Sequence, residues 1–327
     1  MNFLESNAPL HDKRKKNRLQ LRYCDQHDFP LPDQHKFPLE KYRLLREYLQ
    51  QSEWFDLEPG TLASADAVRE VHEASYVDGF LNGSLDPAVM RRVGFPWSRE
   101  LVTRTLASAG STILAMETAL ARGFGGTLAG GTHHAFRDRG AGFCVFNDLA
   151  IAITWARKQF GIRRAAIVDL DVHQGDGTAA IFEHDRDVFT LSLHGARNFP
   201  FRKQESSLDI ELADETGDDG YLEKLEPALE RIWGFEPELI LYQSGVDGLR
   251  SDTLGRLALS LSGLRRRDRL VMEGARQRAI PLAVTIGGGY SHPIERTVEA
   301  HAQTFLTAAE VYLGTDAGIQ PISLPDP

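Results

Sequence analysis

The chain contains 327 residues, of which 42% are hydrophobic and 25% charged, a composition typical of a globular protein with a large core. Its formal net charge of −9 argues against general nucleic-acid binding and favours a cationic partner. The only cysteines are Cys24 and Cys144, and no apolar run approaches the ~18 residues of a membrane span, so we expect a cytoplasmic protein without a disulfide framework.

The chain begins with a basic segment. Residues 1–18 carry a cluster of lysines and arginines, and no apolar segment follows it. We therefore predict a flexible leader rather than a signal peptide. Residues 19–315 show no shift in composition that would mark a boundary, so they are predicted to form a single domain. Residues 316–327 are predicted to be a loose tail, since three prolines lie in 319–327.

Amphipathic stretches and short apolar runs alternate along the predicted domain. Helical spacing of apolar residues predicts helices at 40–51, 99–122, 148–159, 221–233, 257–278 and 294–313. The second of these is expected to begin after Ser98 as N-cap and to end at Gly123. Compact apolar runs predict buried strands at 126–129, 165–168, 188–193, 239–242 and 282–286. This alternation predicts an α/β fold, a mostly parallel sheet with helices on both faces.

Polar and glycine-rich segments follow four of the predicted strands directly. In chain order these segments span 130–134, 169–177, 243–247 and 287–290. Ligands of parallel α/β proteins bind beyond the carboxyl ends of the strands, so we expect these four segments to meet at one edge of the sheet.

Three residues of these segments are candidate metal ligands. Asp171 and His173 are two residues apart at a strand end, where alternation places both side chains on the same side. Asp247 follows another strand and supplies a third donor. Oxygen and nitrogen donors suit Zn²⁺, and three protein ligands leave the open position that catalytic zinc requires. Each residue alone is more often structural.

Other ionisable side chains of the same segments suit acid–base catalysis. His133 and His134 are adjacent, and on an extended segment their rings are expected to point in different directions. Asp169 and Asp176 can each accept a hydrogen bond from one histidine, which would set its tautomer. Tyr290 follows three glycines and could donate to a carbonyl oxygen beside the metal, although a core tyrosine is an equally ordinary interpretation.

Two aromatic residues are candidate walls of a narrow channel. Phe143 follows Gly142 near the histidine pair, and Phe199 follows the strand predicted at 188–193. Ordinary core packing explains each aromatic equally well.

The ordered motifs resemble those of the zinc-dependent histone deacetylases of the arginase/deacetylase superfamily. The resemblance covers roughly residues 20–315 and rests on five motifs: G-G-T-H-H at 130–134, G-F-C-V-F-N-D at 142–148, D-L-D-V-H-Q-G-D-G-T at 169–178, S-G-V-D at 244–247 and G-G-G-Y at 287–290. Segments 29–45 and 192–201 look most like the class IV branch and its bacterial relatives. The resemblance implies a deacetylase domain over 19–315.

The resemblance also implies a role for each matching residue. His134 would be the main general base, paired with Asp176, and Tyr290 would stabilise the transition state. The remaining implied sets are His133 paired with Asp169 for catalysis; Asp171, His173 and Asp247 for zinc; Asp169, Asp171, His173, Ser192 and Leu193 for a structural potassium ion; and Gly142, Phe143, Phe199 and Gly288 for substrate.

The sequence leaves several alternatives open. Within the deacylases, the substrate could be an acetylated protein lysine, a longer acyl-lysine or an acetylated polyamine. An acidic rim residue that grips the substrate backbone in some relatives cannot be placed in 85–97. A two-metal ureohydrolase would need a carboxylate where Leu249 stands. An inactive binding module would have lost a ligand, the base or the tyrosine, and all are present. The oligomeric state is not indicated.

Overall fold

The computed structural model describes residues 18–314 and contains one parallel sheet. Its strands are β1 (Leu19–Tyr23), β2 (Phe55–Pro59), β3 (Phe124–Thr127), β4 (Ala165–Asp169), β5 (Val188–Gly195), β6 (Leu208–Leu212), β7 (Leu239–Gln243) and β8 (Leu282–Thr285). They lie in the order β2-β1-β3-β8-β7-β4-β5-β6, and each pairing between neighbours is parallel. Apart from exposed Arg18, the predicted leader and tail lie outside the described residues.

Helices cover the sheet on both faces. In the described range they are α1 (Lys41–Leu49), α2 (Ala65–Arg69), α3 (Ala74–Asn82), α4 (Pro87–Val93), α5 (Arg99–Arg122), α6 (Asp148–Phe160), α7 (Asp176–Phe182), α8 (Asp218–Phe235), α9 (Leu261–Gln277) and α10 (Glu295–Leu313). The predicted α/β class is confirmed. No helix between residues 18 and 314 is both long and apolar enough to cross a membrane. Cys24 and Cys144 are buried and free.

Helix boundaries follow local capping chemistry. The Ser98 hydroxyl accepts a hydrogen bond from the Leu101 N–H at 3.0 Å, and Gly123 ends α5 with a φ of +85°, as predicted. The helix predicted at 257–278 begins later, because Ser260 caps it by accepting from the Gly263 N–H. The residues before Ser260 instead form a loop, and its Leu254 and Arg256 line a cavity.

One strand lies two residues before its predicted position, and three strands were not predicted. The strand predicted at 126–129 is Phe124–Thr127, which contains two glycines of low strand propensity. A Cβ on Gly125 would lie 2.1 Å from the Ala115 carbonyl oxygen of α5, so close helix packing requires glycine there. Strands β1, β2 and β6 were missed because charged residues interrupt short runs on the outer part of the sheet.

Two apolar cores fill the faces of the sheet, and strand alternation divides residues between them. In β8, Leu282 and Val284 enter one core and Ala283 enters the other. The register then aligns polar residues across four adjacent strands, at the last residues of β8, β7 and β4 and within β5: Thr285 beside Gln243, Gln243 beside Asp169, and Asp169 beside Ser192. The functional segments therefore begin at the same level of the sheet.

Candidate metal and catalytic site

Asp171, His173 and Asp247 converge beyond the carboxyl ends of β4 and β7. The His173 Nδ1 atom lies 3.0 Å from Asp171 Oδ1 and 3.1 Å from Asp247 Oδ2. One ligand atom from each residue falls within 4.8 Å of the others, and both carboxylates are buried. Among the described residues this is the one group of three or more His, Cys, Asp or Glu side chains arranged to hold a metal.

The chemistry of this group fits a divalent cation. Burial and the neighbouring charge of Asp171 raise the pKa of Asp247 to about 7. Burial opposes the charge on His173, but hydrogen bonds to both carboxylates outweigh it and raise the His173 pKa to about 10. Two buried carboxylates facing one imidazole are stabilised by a cation, and the mixed oxygen and nitrogen donors suit zinc.

Glycines allow the backbone to approach these carboxylates. A Cβ on Gly245 would lie 2.3 Å from Asp171 Oδ2, and one on Gly288 would lie 1.9 Å from Asp247 Oδ2. The Gly288 N–H donates to Asp171 Oδ2 at 2.7 Å. Gly288, predicted to contact substrate, thus lines the cavity and also binds a carboxylate of the metal cluster.

The two adjacent histidines each bind one aspartate. His133 Nδ1 lies 2.7 Å from Asp169 Oδ2, and His134 Nδ1 lies 2.7 Å from Asp176 Oδ1. The expectation that the rings diverge is wrong, because their centroids are only 4.0 Å apart. The segment is a turn rather than an extended strand, entered through Gly130 at a φ of +82°. Both imidazoles therefore enter the same cavity.

The environment sets opposite proton affinities for the pair. Burial opposes protonation of His133, but the charges of Asp169 and Asp171 outweigh it and raise its pKa to about 9. Burial and the charge of His133 lower the pKa of His134 to about 4. A charged and a neutral imidazole side by side are typical of a site in which one ring accepts a proton.

The turn that carries the histidines is held by Asp148, which was quoted in a motif without a role. One carboxylate oxygen accepts from the Gly131 N–H at 3.0 Å and the Thr112 hydroxyl at 2.6 Å. The other accepts from the N–H of Thr132 at 2.7 Å and from its hydroxyl at 2.5 Å. In the sequence, the place of Asp148 at the end of the 142–148 motif is the only signal of this role.

Tyr290 is held through its backbone by a loop that sequence analysis did not single out. The Tyr290 N–H donates to Asp252 Oδ2 at 2.6 Å, and the Thr253 hydroxyl donates to its carbonyl at 2.8 Å. Buried Lys41 donates to the Gly287 carbonyl at 3.0 Å and lies 5.5 Å from the Tyr290 ring centroid. Burial, followed by the Asp247 charge, raises the pKa of Tyr290 well above its ordinary value, so its phenol stays a donor.

The predicted channel residues line one cavity of about 520 Å³ together with the metal and histidine groups. The Phe199 ring centroid lies 4.9 Å from that of His134, and Phe143 lies 6.4 Å from Tyr290. Gly142 has a φ of +53°, and a Cβ there would lie 2.7 Å from His134 Cδ2. Glycine thus keeps the wall thin beside His134.

The residues matched to a potassium site include Asp169, which contacts His133, and two residues of the metal cluster. Asp169 pairs with Ser192 in the β4–β5 register, and Asp169 Oδ1 accepts from the Asp171 N–H at 3.2 Å. The Ser192 hydroxyl lies 2.9 Å from His194 Nδ1, and Leu193 is buried. Potassium binding itself stays a prediction.

Known proteins share these features over most of the chain. The family model described as histone deacetylase domain matches residues 35–305. An uncharacterized protein of Picosynechococcus is 44% identical over 294 residues, which cover 86% of this chain and 96% of that protein. Histone deacetylase 2 of Arabidopsis thaliana is 33% identical over 240 residues, which cover 72% of this chain and 58% of that protein.

One further relative and one solved structure also match this chain. A probable deacetylase of Methanothermobacter thermautotrophicus is 34% identical over 222 residues, covering 62% of this chain and 65% of that protein. The crystal structure of the HDA15 HD domain superposes with a TM-score of 0.73 at 19% identity, covering 93% of this chain and 91% of that one. This last likeness shows the fold.

Proposed function

Because the chain belongs to the histone deacetylase family, we propose that it is a zinc-dependent enzyme that hydrolyses the amide of an N-acyl-lysine side chain. The family is one of deacetylases, which act on acetylated substrates by hydrolysis. The observation that carries the proposal is one cavity lined by two metal-cluster residues, Asp171 and His173, by both aspartate-paired histidines and by Tyr290.

Asp171, His173 and Asp247 would hold the zinc ion. When bound there, zinc supplies Lewis acidity toward the substrate carbonyl and lowers the pKa of a water molecule to about 7. One three-residue cluster in the described part of the chain supports a single metal rather than the two of a ureohydrolase.

His134 is proposed as the general base. The 2.7 Å contact with Asp176 assigns the Nδ1 proton, which leaves the Nε2 lone pair to accept a proton from the attacking water. Oxygen then bonds to the carbonyl carbon, the C–N bond breaks, and the proton passes from His134 to the leaving lysine amine. His133, whose Nδ1 lies 2.7 Å from the Asp169 carboxylate, is proposed to stay protonated and to contribute a positive charge beside the negative charge that develops on the carbonyl oxygen.

Tyr290 is proposed to donate a hydrogen bond to the carbonyl oxygen as it becomes negative. Asp252 and Thr253 hold the Tyr290 backbone in advance, so little reorganisation accompanies the reaction. Phe143 and Phe199 are proposed to enclose the apolar stem of the acyl-lysine, and the Gly142 carbonyl to accept the substrate N–H.

A structural potassium ion is proposed behind the catalytic pair. Asp169 and Ser192 are register partners on adjacent strands, and their carboxylate and hydroxyl oxygens are donors that suit a hard monovalent cation. Backbone carbonyls of Asp171, His173 and Leu193 would complete its coordination.

A substrate panel tests the proposed function. An acetyl-lysine peptide with neutral flanks, its longer-chain acyl analogues and an acetylated polyamine would each be assayed with and without a chelator. We expect release of the acid from at least one acyl-lysine peptide and loss of that activity with chelator. Turnover of the polyamine alone, or chelator-resistant turnover by metal-free protein, would contradict the proposal.

A further inference from the structure

Three arginines and one phenylalanine surround the opening of the catalytic cavity. We call this region the mouth and define it as Arg92, Arg197, Phe201, Leu254 and Arg256, all of which line the cavity. Phe201 is 89% exposed, and the side chains of Arg197 and Arg256 are 73% and 54% exposed. An exposed aromatic beside solvated guanidinium groups is typical of a binding surface rather than of a core.

The loops of the mouth are tied to one another. The Asn198 side chain donates to the Leu254 carbonyl at 2.9 Å, which joins the two loops that carry Arg197 and Arg256. Lys203 donates to the carbonyls of Asn198 and Pro200 at 2.6 and 2.7 Å, closing the loop that presents Phe201. The mouth is therefore a built surface rather than a set of free side chains.

Charge at the mouth is positive, opposite to that of the whole chain. Arg197 and Arg256 share one partner, Asp214, at 2.6 and 3.2 Å, so two guanidinium charges face one carboxylate. Arg92 is exposed and has no ion pair with any residue in 18–314. The one carboxylate among the described residues that line the cavity is Asp171, at the metal cluster.

We propose that the mouth selects acyl-lysines flanked by acidic residues in a peptide or protein, and disfavours polycationic amines. The inference rests on the proposed function, because the acyl-lysine must enter the cavity for its flanks to meet the arginines. Guanidinium groups bind carboxylates in a forked geometry, and Phe201 offers the peptide an apolar surface. A polyamine would bring its charges against three arginines without a matching carboxylate.

Matched peptides test this selectivity. Three acyl-lysine peptides of equal length would carry Asp/Glu, Ser/Gly or Lys/Arg flanks, beside an acetylated polyamine. We expect kcat/KM to be about tenfold higher for the acidic than for the basic peptide, since exposed ion pairs are individually weak. The ratio should fall at about 0.3 M salt, where screening shortens the range of exposed charges.

Variants assign the effect to the mouth. Arg197→Gln with Arg256→Gln, and separately Arg92→Gln, should each reduce the acidic-to-basic ratio, and the double variant should bring it to about twofold. Asp214→Asn should increase it. Arg43→Gln on α1 removes an exposed arginine that also pairs with a carboxylate, Glu47, and should leave the ratio unchanged.

The outcomes separate the two proposals. Equal turnover of all three peptides, or a ratio that persists in both arginine variants, would overturn the selectivity while leaving the deacylase intact. A preference for the polyamine over the acidic peptide would also overturn the selectivity alone, whereas turnover of the polyamine and of none of the peptides would overturn both proposals. A folded variant, checked by its melting temperature, that still turns over the neutral peptide but shows a reduced acidic-to-basic ratio supports the inference.

Discussion

The floor and the mouth of the cavity differ in the sign of their charges and in their exposure to solvent. We use floor for the metal cluster together with the two histidines and Tyr290. At the floor, anionic side chains are buried and each is paired or converges on a cation site. At the mouth, cationic side chains are exposed, and two of the three arginines, Arg197 and Arg256, share a single carboxylate. Burial makes each floor interaction strong, whereas solvent screens the mouth, so chemistry and selectivity respond differently to mutation.

Removal of a metal-cluster carboxylate should have the largest effect. Asp247→Asn replaces a buried anionic donor by a neutral amide and should lower kcat/KM by about 10³-fold. This decrease is larger than the roughly 10–100-fold loss that follows removal of a residue that only orients a metal ligand. Zinc content, measured by elemental analysis, should fall with it. Asp214→Asn, which removes the carboxylate paired with Arg197 and Arg256 of the mouth, should keep full zinc content. Full zinc occupancy in Asp247→Asn would remove that residue from the metal site.

Loss of the phenol donor should come next. Tyr290→Phe keeps the ring beside Phe143 but removes the hydroxyl, and we expect kcat to fall by about 10²-fold or more because one preorganised donor is lost. Zinc content should not change. Tyr48→Phe on α1 is a control outside the cavity. A nearly normal kcat in Tyr290→Phe would exclude Tyr290 from the reaction.

Buried His72 should make the stability of the fold sensitive to acid. Its Nδ1 lies 2.7 Å from the Phe136 carbonyl and its Nε2 accepts from the Asn147 N–H, and burial lowers its pKa to about 4. An unfolded histidine has a pKa of about 6.5, so the unfolded chain binds more protons between these values, and stability is lost as pH falls below about 6.5.

The expected loss of stability follows from the difference between the folded and unfolded pKa of His72. Between pH 7.5 and pH 5, His72 should remove about 2 kcal/mol from the free energy of unfolding. Urea denaturation at both pH values would measure this loss, and His72→Gln should reduce it by that amount. An equal loss in the wild-type and variant proteins would show that His72 does not carry it.

Weakening the support of the histidine turn should have the smallest of these effects. Asp148→Asn replaces one accepting oxygen by an NH₂ group, which would face N–H and hydroxyl donors. We expect kcat to fall about tenfold, because loss of a residue that orients a catalytic group typically lowers activity by about that factor or more. KM should change little. Thr112→Val removes a single donor and should cost less. Unchanged kcat in folded Asp148→Asn would show that the turn needs no such support.

The floor was largely predictable from the sequence, whereas its geometry and the mouth were not. Asp171 and Asp247 follow apolar β-branched strands, so strand direction alone brings them to one edge of the sheet. The turn that places His133 beside His134 depends on Gly130 and Gly131, which both adopt the left-handed conformation. Glycine can adopt that conformation but need not, so the sequence does not predict the turn.

Contacts between loops distant in sequence escape pattern analysis altogether. Arg197 and Arg256 come together through Asp214, which no local spacing reveals. The net charge of −9 suggested a cationic partner, but a total charge carries no information about the sign at one opening. Lys41 and Asp252 were missed for the same reason, since their partners Gly287 and Tyr290 lie far along the chain.

Zinc titration into metal-free protein tests the central claim most directly. Protein stripped with a chelator would be assayed on a neutral acyl-lysine peptide as zinc is added. Activity should be absent at first and should reach its maximum at one equivalent per chain, since one cluster of Asp171, His173 and Asp247 is present in residues 18–314. Full activity in the stripped protein, or a maximum that requires two equivalents, would contradict a single-zinc deacylase.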